Sequence, residues 1–365
     1  MVHAEQQNNS RGIPTISLED LKTVKASESL KDDGGRISAL IIDGLGERYD
    51  QALQDLITYG PGCINQLKEG EIISLPMTDE SNRKTYATME GKFPECFGLQ
   101  TLSNAFDEID GALSSVISMA RKEAHPSSNL PITYETEGKQ LSIAGALKKE
   151  HIHVYDRSVS TSSYIVPFHI DNGLYLILTP FPGHGLRIKT SDNKVVSLDN
   201  LELGSAIVLF GRGVTEWLLQ EDDETKQMFY AVPHAVPTAT IGNIPRTVYA
   251  RMKVAQSSAT PISKTGRNGA SKLKTFGDVF METGISDPLT SNYNNLCPMT
   301  NSLKESKIWL GVLKEQCDEG LAFCWHSCLP LPDECPHEED AFCHNDSNEP
   351  CFDDSMDVSC HWDCK

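Results

Sequence analysis

No run of apolar residues in this 365-residue chain approaches the roughly 18 to 20 that a helix needs to cross a bilayer. No membrane span is therefore expected. Basic residues are scarce: 32 Lys and Arg stand against 51 Asp and Glu, a formal net charge of -19. Nucleic-acid binding rests on clustered cations that displace counterions from phosphates, so no nucleic-acid partner is expected either. The first ten residues are polar and lack the apolar core of a signal peptide. Cysteine is nearly absent from the first 296 residues, which hold only Cys63 and Cys96.

The remaining nine cysteines crowd between Cys297 and Cys364. Such density suggests a disulfide framework and an oxidising compartment. The expected location is then secreted or the lumen of the secretory pathway, with a leader trimmed away. A reduced or metal-bound tail would instead imply the cytoplasm. Cys324 with Cys328 and Cys360 with Cys364, near His326, His337, His344 and His361, have spacings that zinc tolerates. No Cys-x2-Cys pair occurs, and the wide spread fits disulfide loops better. Nine is odd, so one thiol is free or pairs elsewhere. The tail is also acidic, with eleven Asp or Glu between Asp333 and Lys365. Asn345-Asp346-Ser347 matches a glycosylation sequon.

Along the chain, residues 1–12 read as disordered. A short strand is expected over 13–18, a helical turn over 19–25, and a buried strand over 36–45. Tyr49 to Tyr59 has helical spacing, stopped by Pro61-Gly62. Asn104 to Glu123 carries one apolar stripe, Phe106, Ile109, Leu113, Val116, Ile117 and Ala120, and reads as a scaffold helix. Residues 125–136 read as a loop. From Ile152 the pattern turns to short strands at 152–155, 163–168, 174–179, 185–190, 194–197, 205–210, 227–232 and 246–254. Strands of that length with Gly and Pro turns indicate a β-sandwich or jelly roll. Residues 256–274 read as a linker, 275–283 as ordered, and 304–319 as a helix.

Within the strand region, Val166-Pro167-Phe168-His169-Ile170-Asp171-Asn172-Gly173-Leu174 precedes an apolar run. At strand spacing, His169 and Asp171 project to one face. His234, in Val232-Pro233-His234-Ala235-Val236, is the candidate third donor. Two imidazoles and a carboxylate on one face of an iron are the ligand set of non-heme Fe(II) oxygenases. A bare His-x-Asp is frequent by chance, and its bland alternative is a hydrogen-bonded His beside a turn Asp.

Further stretches extend the pattern. Ile13-Pro14-Thr15-Ile16-Ser17-Leu18 resembles an Ile-Pro-x-Ile-Asp-Leu opening strand, and Ile73-Ser74-Leu75-Pro76 with Lys84 a Phe-x-Leu-Pro…Lys stretch. His169-Ile170-Asp171 with Gly173-Leu174 is similar to His-Thr-Asp…Gly-Leu. Gly185-Leu186-Arg187-Ile188 is similar to Gly-Leu-Gln-Val, and Gly204 to Gly211 to Gly-Ala-Leu-Val-Val-Asn-Ile-Gly. In this shared order, residues 13–255 resemble the isopenicillin N synthase-like Fe(II)/2-oxoglutarate-dependent dioxygenases.

The resemblance implies a mainly β fold with flanking helices. Its core would be a double-stranded β-helix (jelly roll), followed by a Cys-rich C-terminal extension. Residues 13–150 would form the helical part, 151–255 the jelly-roll core, 256–296 a linker and packing segment, and 297–365 the extension. It implies Fe(II) held by His169, Asp171 and His234. It also implies 2-oxoglutarate held by Arg246 and Tyr155, with ascorbate as an accessory reductant. The implied reaction oxidises a small organic substrate while 2-oxoglutarate goes to succinate and CO2.

Departures from the family pattern leave rivals. Arg-x-Ser becomes Arg246-Thr247-Val248, removing a hydroxyl from the distal carboxylate site. Asn-x-Tyr becomes His153-Val154-Tyr155. Arg251 is an alternative cation, but an odd spacing from Arg246 turns it to the other face of one strand. The first rival keeps the iron and drops 2-oxoglutarate; the second is a non-catalytic jelly-roll binding module. Trp217 reads as core, His184 as structural or exposed, and Phe168 or Tyr175 as a wall of the substrate site. His125 and His151 carry no signal. Substrate identity and oligomeric state are not legible.

Overall fold

The computed structural model describes residues 12–68, 71–76, 82–89, 91–126, 132–155, 164–180, 185–199, 201–219, 222–238, 246–262 and 273–281. It also describes the backbone of the strands 321–324, 327–330, 341–345 and 360–364. The chain divides into two compact units, Met1–Thr300 and Asn301–Lys365.

The first unit has a mixed α/β fold with large antiparallel sheets. It opens with β1 (Thr15–Ser17), α1 (Leu18–Thr23), β2 (Ala39–Asp43), α2 (Glu47–Ile64), β3 (Ile73–Pro76), β4 (Asn82–Thr88) and α3 (Gln100–Ala124). A small hairpin follows, β5 (Thr133–Thr136) with β6 (Lys139–Ser142). Eight strands come next: β7 (Leu147–Tyr155), β8 (Tyr164–His169), β9 (Tyr175–Leu178), β10 (Arg187–Lys189), β11 (Val195–Ser197), β12 (Ala206–Phe210), β13 (His234–Pro237) and β14 (Arg246–Val254). Between β12 and β13 lie a π-helical turn, Gly213–Leu218, and α4 (Asp223–Met228). After β14 come β15 (Thr260–Pro261), which joins the β5–β6 hairpin, and α5 (Phe276–Met281).

These eight strands switch between two sheets at every step except β10 to β11. One sheet runs β1-β2-β12-β9-β14-β7-β4-β3 and the other β11-β10-β13-β8. That alternation is consistent with a double-stranded β-helix. The large sheet has two unlike faces, because side chains alternate along each strand. On one face Tyr249 stacks on Phe106 of α3 at 4.8 Å, and Arg251 and Lys253 reach Asp107 and Asp110 of the same helix. The buried stripe of α3, from Leu102 to Ala120, covers this face. The opposite face carries Tyr155, His153, His151, Arg246 and Val248.

Several expectations change. Pro61 lies inside α2, which runs on to Ile64 rather than stopping at Tyr59. Gly60 lets that helix approach the sheet: a Cβ there would lie 2.9 Å from Thr247 Cγ2. Residues 133–136 form β5 rather than loop, since Tyr134 packs at 5.5 Å on Trp217. The strand expected over 227–232 is instead the end of α4 and a single bridge, Phe229 with Ile37; Asp222 caps that helix by accepting from Thr225 N–H. Cys63 and Cys96 form a disulfide with Cα atoms 5.6 Å apart, tying the last turn of α2 to the short 3-10 helix Glu95–Phe97.

In the second unit, β16 (Leu321–Cys324) pairs with β17 (Ser327–Pro330), and β18 (Ala341–Asn345) with β19 (Cys360–Cys364). The tail disulfides, the helix expected over 304–319, most of the linker expected over 256–274, and His184 lie outside the described residues. No helix among the described residues is long and apolar enough to cross a membrane.

Candidate metal centre

His169 is the last residue of β8 and His234 the first of β13, and the two are register partners. Their rings approach to 4.3 Å between centroids. Asp171 lies just past the end of β8 rather than within it. Its carboxylate nevertheless meets both imidazoles: Oδ1 is 3.7 Å from His169 Nε2, and Oδ2 is 3.7 Å from His234 Nε2.

Backbone packing sets the position of Asp171. Arg212 N–H donates to Asp171 O at 2.9 Å, Gly213 N–H to Gly173 O at 3.0 Å, and Gly211 N–H to Leu174 O at 3.0 Å. The two segments touch so closely that a Cβ on Gly211 would lie 2.3 Å from Gly173 O and 2.7 Å from Asp171 O. Glycine is required there by close approach of backbone to backbone.

Tautomers follow from the neighbours. His169 Nδ1–H donates to Pro167 O at 2.9 Å, and His234 Nδ1–H to Val232 O at 3.1 Å. A carbonyl only accepts, so the proton sits on Nδ1 and each Nε2 offers a lone pair. Burial lowers both imidazoles to about 4, keeping them neutral near pH 7. One donor atom from each of His169, Asp171 and His234 lies within 4.8 Å of the others, all three residues being buried. Ligands about 2.1 Å from one ion stand roughly 3 Å apart, so a small closure would let this set fit a divalent cation. Neutral nitrogen plus carboxylate oxygen is the donor chemistry of non-heme iron.

The large sheet turns a row of polar groups to its other, non-α3 face. Tyr155 on β7 is flanked in register by Arg246 on β14 and Arg83 on β4. All three are buried. Arg246 Nη1 donates to Pro237 O at 2.7 Å, so β13 bears His234 at one end and holds the guanidinium at the other. Val248, at the position of the missing serine, is the register partner of His153. Thr85 Oγ1 and His153 Nδ1 are hydrogen-bonded at 2.9 Å, and the His151 and His153 rings stack at 5.3 Å. Burial is the main cause lowering both, His151 to about 3 and His153 well below its ordinary value.

Other candidates leave the centre. Arg251 faces α3, donating Nε–H to Glu150 at 2.8 Å and Nη1–H to Asp107 at 2.6 Å. Tyr175 also faces α3, its hydroxyl donating to Asp110 at 2.6 Å. Phe168 neighbours His169 in β8 and turns the other way, with Lys189 Nζ 4.7 Å over its ring. Neither aromatic walls the site. His125 pairs with Asp222 at 2.6 Å, and Lys84 with Asn65 at 2.7 Å. Trp217 is core, donating to Ala259 O at 3.2 Å. Sequence reasoning missed Arg83 and His151. Their alternation with Thr85 and His153 along two strands was the available signal.

No family model matches the chain, and no curated protein matches it. Solved structures do. A Shewanella oneidensis protein described as an oxygenase has a TM-score of 0.51 at 14% identity, covering 74% of this chain and 96% of its own. A full-length Neurospora crassa protein, solved in complex with alpha-KG and 5-formyluracil, has a TM-score of 0.50 at 12% identity, covering 77% and 99%. At these identities the likeness shows a shared fold and nothing finer.

Proposed function

We propose that this protein is a non-heme Fe(II) oxygenase that uses O2 and 2-oxoglutarate to oxidise a small organic molecule. One observation carries the reading: two neutral imidazoles and a carboxylate, all buried, bring one donor atom each to within 4.8 Å of the others. His169, Asp171 and His234 would hold the ion from one side. Fe(II) supplies O2 activation coupled to oxidation of the keto acid to succinate and CO2. Arg246, fixed by the Pro237 carbonyl, would orient the distal carboxylate of 2-oxoglutarate in two-point contact, and Tyr155 beside it would donate its hydroxyl. Burial of the three donors keeps bulk water from competing for the ion. Ascorbate as an accessory reductant belongs to the same reading.

The test is anaerobic addition of 2-oxoglutarate to the Fe(II)-loaded protein. A weak visible charge-transfer band is the expected result. Val248 in the serine position favours one rival, iron chemistry without 2-oxoglutarate. Bound iron with no such band would establish that rival.

A further inference from the structure

Arg83 has no role in the chemistry above. It projects from β4 beside Tyr155, 5% exposed, and its Nε is buried without a hydrogen-bond partner. Among the described residues no carboxylate pairs with it. Along the same strand pair Thr85 lies opposite His153 and Ala87 opposite His151, so the guanidinium stands on the strand edge that borders these imidazoles. Two other buried cations of the large sheet meet carboxylates, Arg251 at Glu150 and Lys253 at Asp110, and Arg246 donates to the Pro237 carbonyl. Burying a guanidinium without a counter-ion is costly, and removing the charge would relieve that cost. Such a group persists where it meets an anion in the working state.

We infer that Arg83 is the anion-recognition residue for the oxidised substrate, which is therefore an organic carboxylic acid. The inference rests on the iron and 2-oxoglutarate reading for the identity of the site, but carboxylate binding at Arg83 itself needs no metal. Two carboxylates could seek this cation: that of the substrate or the distal one of 2-oxoglutarate. Register favours the first. Arg246 flanks Tyr155 on β14 and is held by Pro237, whereas Arg83 flanks it on the opposite side, on β4, the strand whose Thr85 bonds His153. A planar guanidinium suits two-point contact with a carboxylate. Neutral imidazoles beside it add hydrogen-bonding capacity without a competing charge.

The test uses the full chain, with and without Zn(II) plus 2-oxoglutarate. A panel of aliphatic and aromatic monocarboxylates is compared with the corresponding primary amides by thermal shift. At least one acid is expected to raise the melting temperature where its amide does not. Arg83→Gln should abolish that shift, and Arg83→Lys should retain part of it. Without ligand, Arg83→Gln should melt at or above the wild type; a clear drop would mark a structural cation and overturn the inference. So would a panel with no stabilising acid, acids and amides acting alike, or a shift that survives Arg83→Gln. Separately, the 2-oxoglutarate Kd of Fe(II)-loaded Arg83→Gln, read from the charge-transfer band, should stay within about twofold of wild type. A tenfold rise would assign Arg83 to the cosubstrate instead. Failure to retain metal would sink the iron reading while leaving the metal-free panel to judge Arg83.

Discussion

His169 and His234 are direct cross-strand partners in the antiparallel β8–β13 pair, their rings 4.3 Å apart. One register position therefore brings together two donors that lie 65 residues apart in the chain. A one-residue slip would turn one of them to the opposite face. The pairing shifts register immediately after, between His234 and Val236, so the alignment is local to the site. The third donor depends on different contacts, those that hold Asp171 against Gly211 and Arg212.

Gly211→Ala should therefore damage the site without touching a donor. Its Cβ would meet Gly173 O at 2.3 Å, and overpacking of this kind costs about 1–3 kcal/mol. Urea denaturation should show that loss, and metal affinity should weaken as Asp171 is displaced. Gly62→Ala is the control. A Cβ there meets nothing within 4 Å in α2, and stability should rise by about 0.5–1 kcal/mol.

Val248→Ser should return a hydroxyl to the face that holds Arg246 and Tyr155. One added hydrogen bond is worth about 0.5–1.5 kcal/mol. The 2-oxoglutarate Kd, titrated through the charge-transfer band, should fall roughly two- to tenfold. An unchanged Kd would mean that the distal carboxylate is not held at this position.

The strand pattern after Ile152 and the His169-x-Asp171 motif were legible because alternation and turn residues are local signals. His234 was legible as a strand residue and candidate donor through its neighbours, although the helix just before it was not. Polar Asp223 to Gln227 give way to apolar Met228 and Phe229, which read as the start of a strand, whereas Asp222 caps a helical turn that runs on to Met228. Pro61 misled because a proline near a helix end usually stops it. Here α2 continues past Pro61 to Ile64, its end tied down by the Cys63–Cys96 bridge. Arg83 left only the weak signal of its alternation with Thr85, because a buried cation in a polar strand looks like a surface residue until its neighbours are known.

Arg251 and Arg246 should separate cleanly. Arg251→Ala leaves Glu150 buried and unmatched, and breaking such a pair costs about 3–5 kcal/mol. Thermal denaturation should register a large drop. Arg246→Ala should instead raise the 2-oxoglutarate Kd with a smaller change in melting temperature.

His151 and His153 predict a pH dependence in the metal-free chain. Burial lowers His151 from 6.5 to about 3 and His153 well below 6.5. As pH falls below 6.5, the unfolded chain takes up protons that the folded chain refuses. Stability should therefore drop by about 1.4 kcal/mol per pH unit for each imidazole. Urea midpoints between pH 7 and pH 4 measure it. The double variant His151→Gln/His153→Gln should reduce the slope, His169 and His234 supplying what remains.

The central claim is that three side chains hold one metal ion, and metal stoichiometry tests it most directly. The full chain is loaded anaerobically with Fe(II), desalted, and its iron counted by elemental analysis beside His169→Ala, Asp171→Ala and His234→Ala, each confirmed folded by circular dichroism. The account predicts about one iron per wild-type chain and a large loss in every variant. Wild-type protein that retains no iron, or iron retained equally by all three variants, would contradict it.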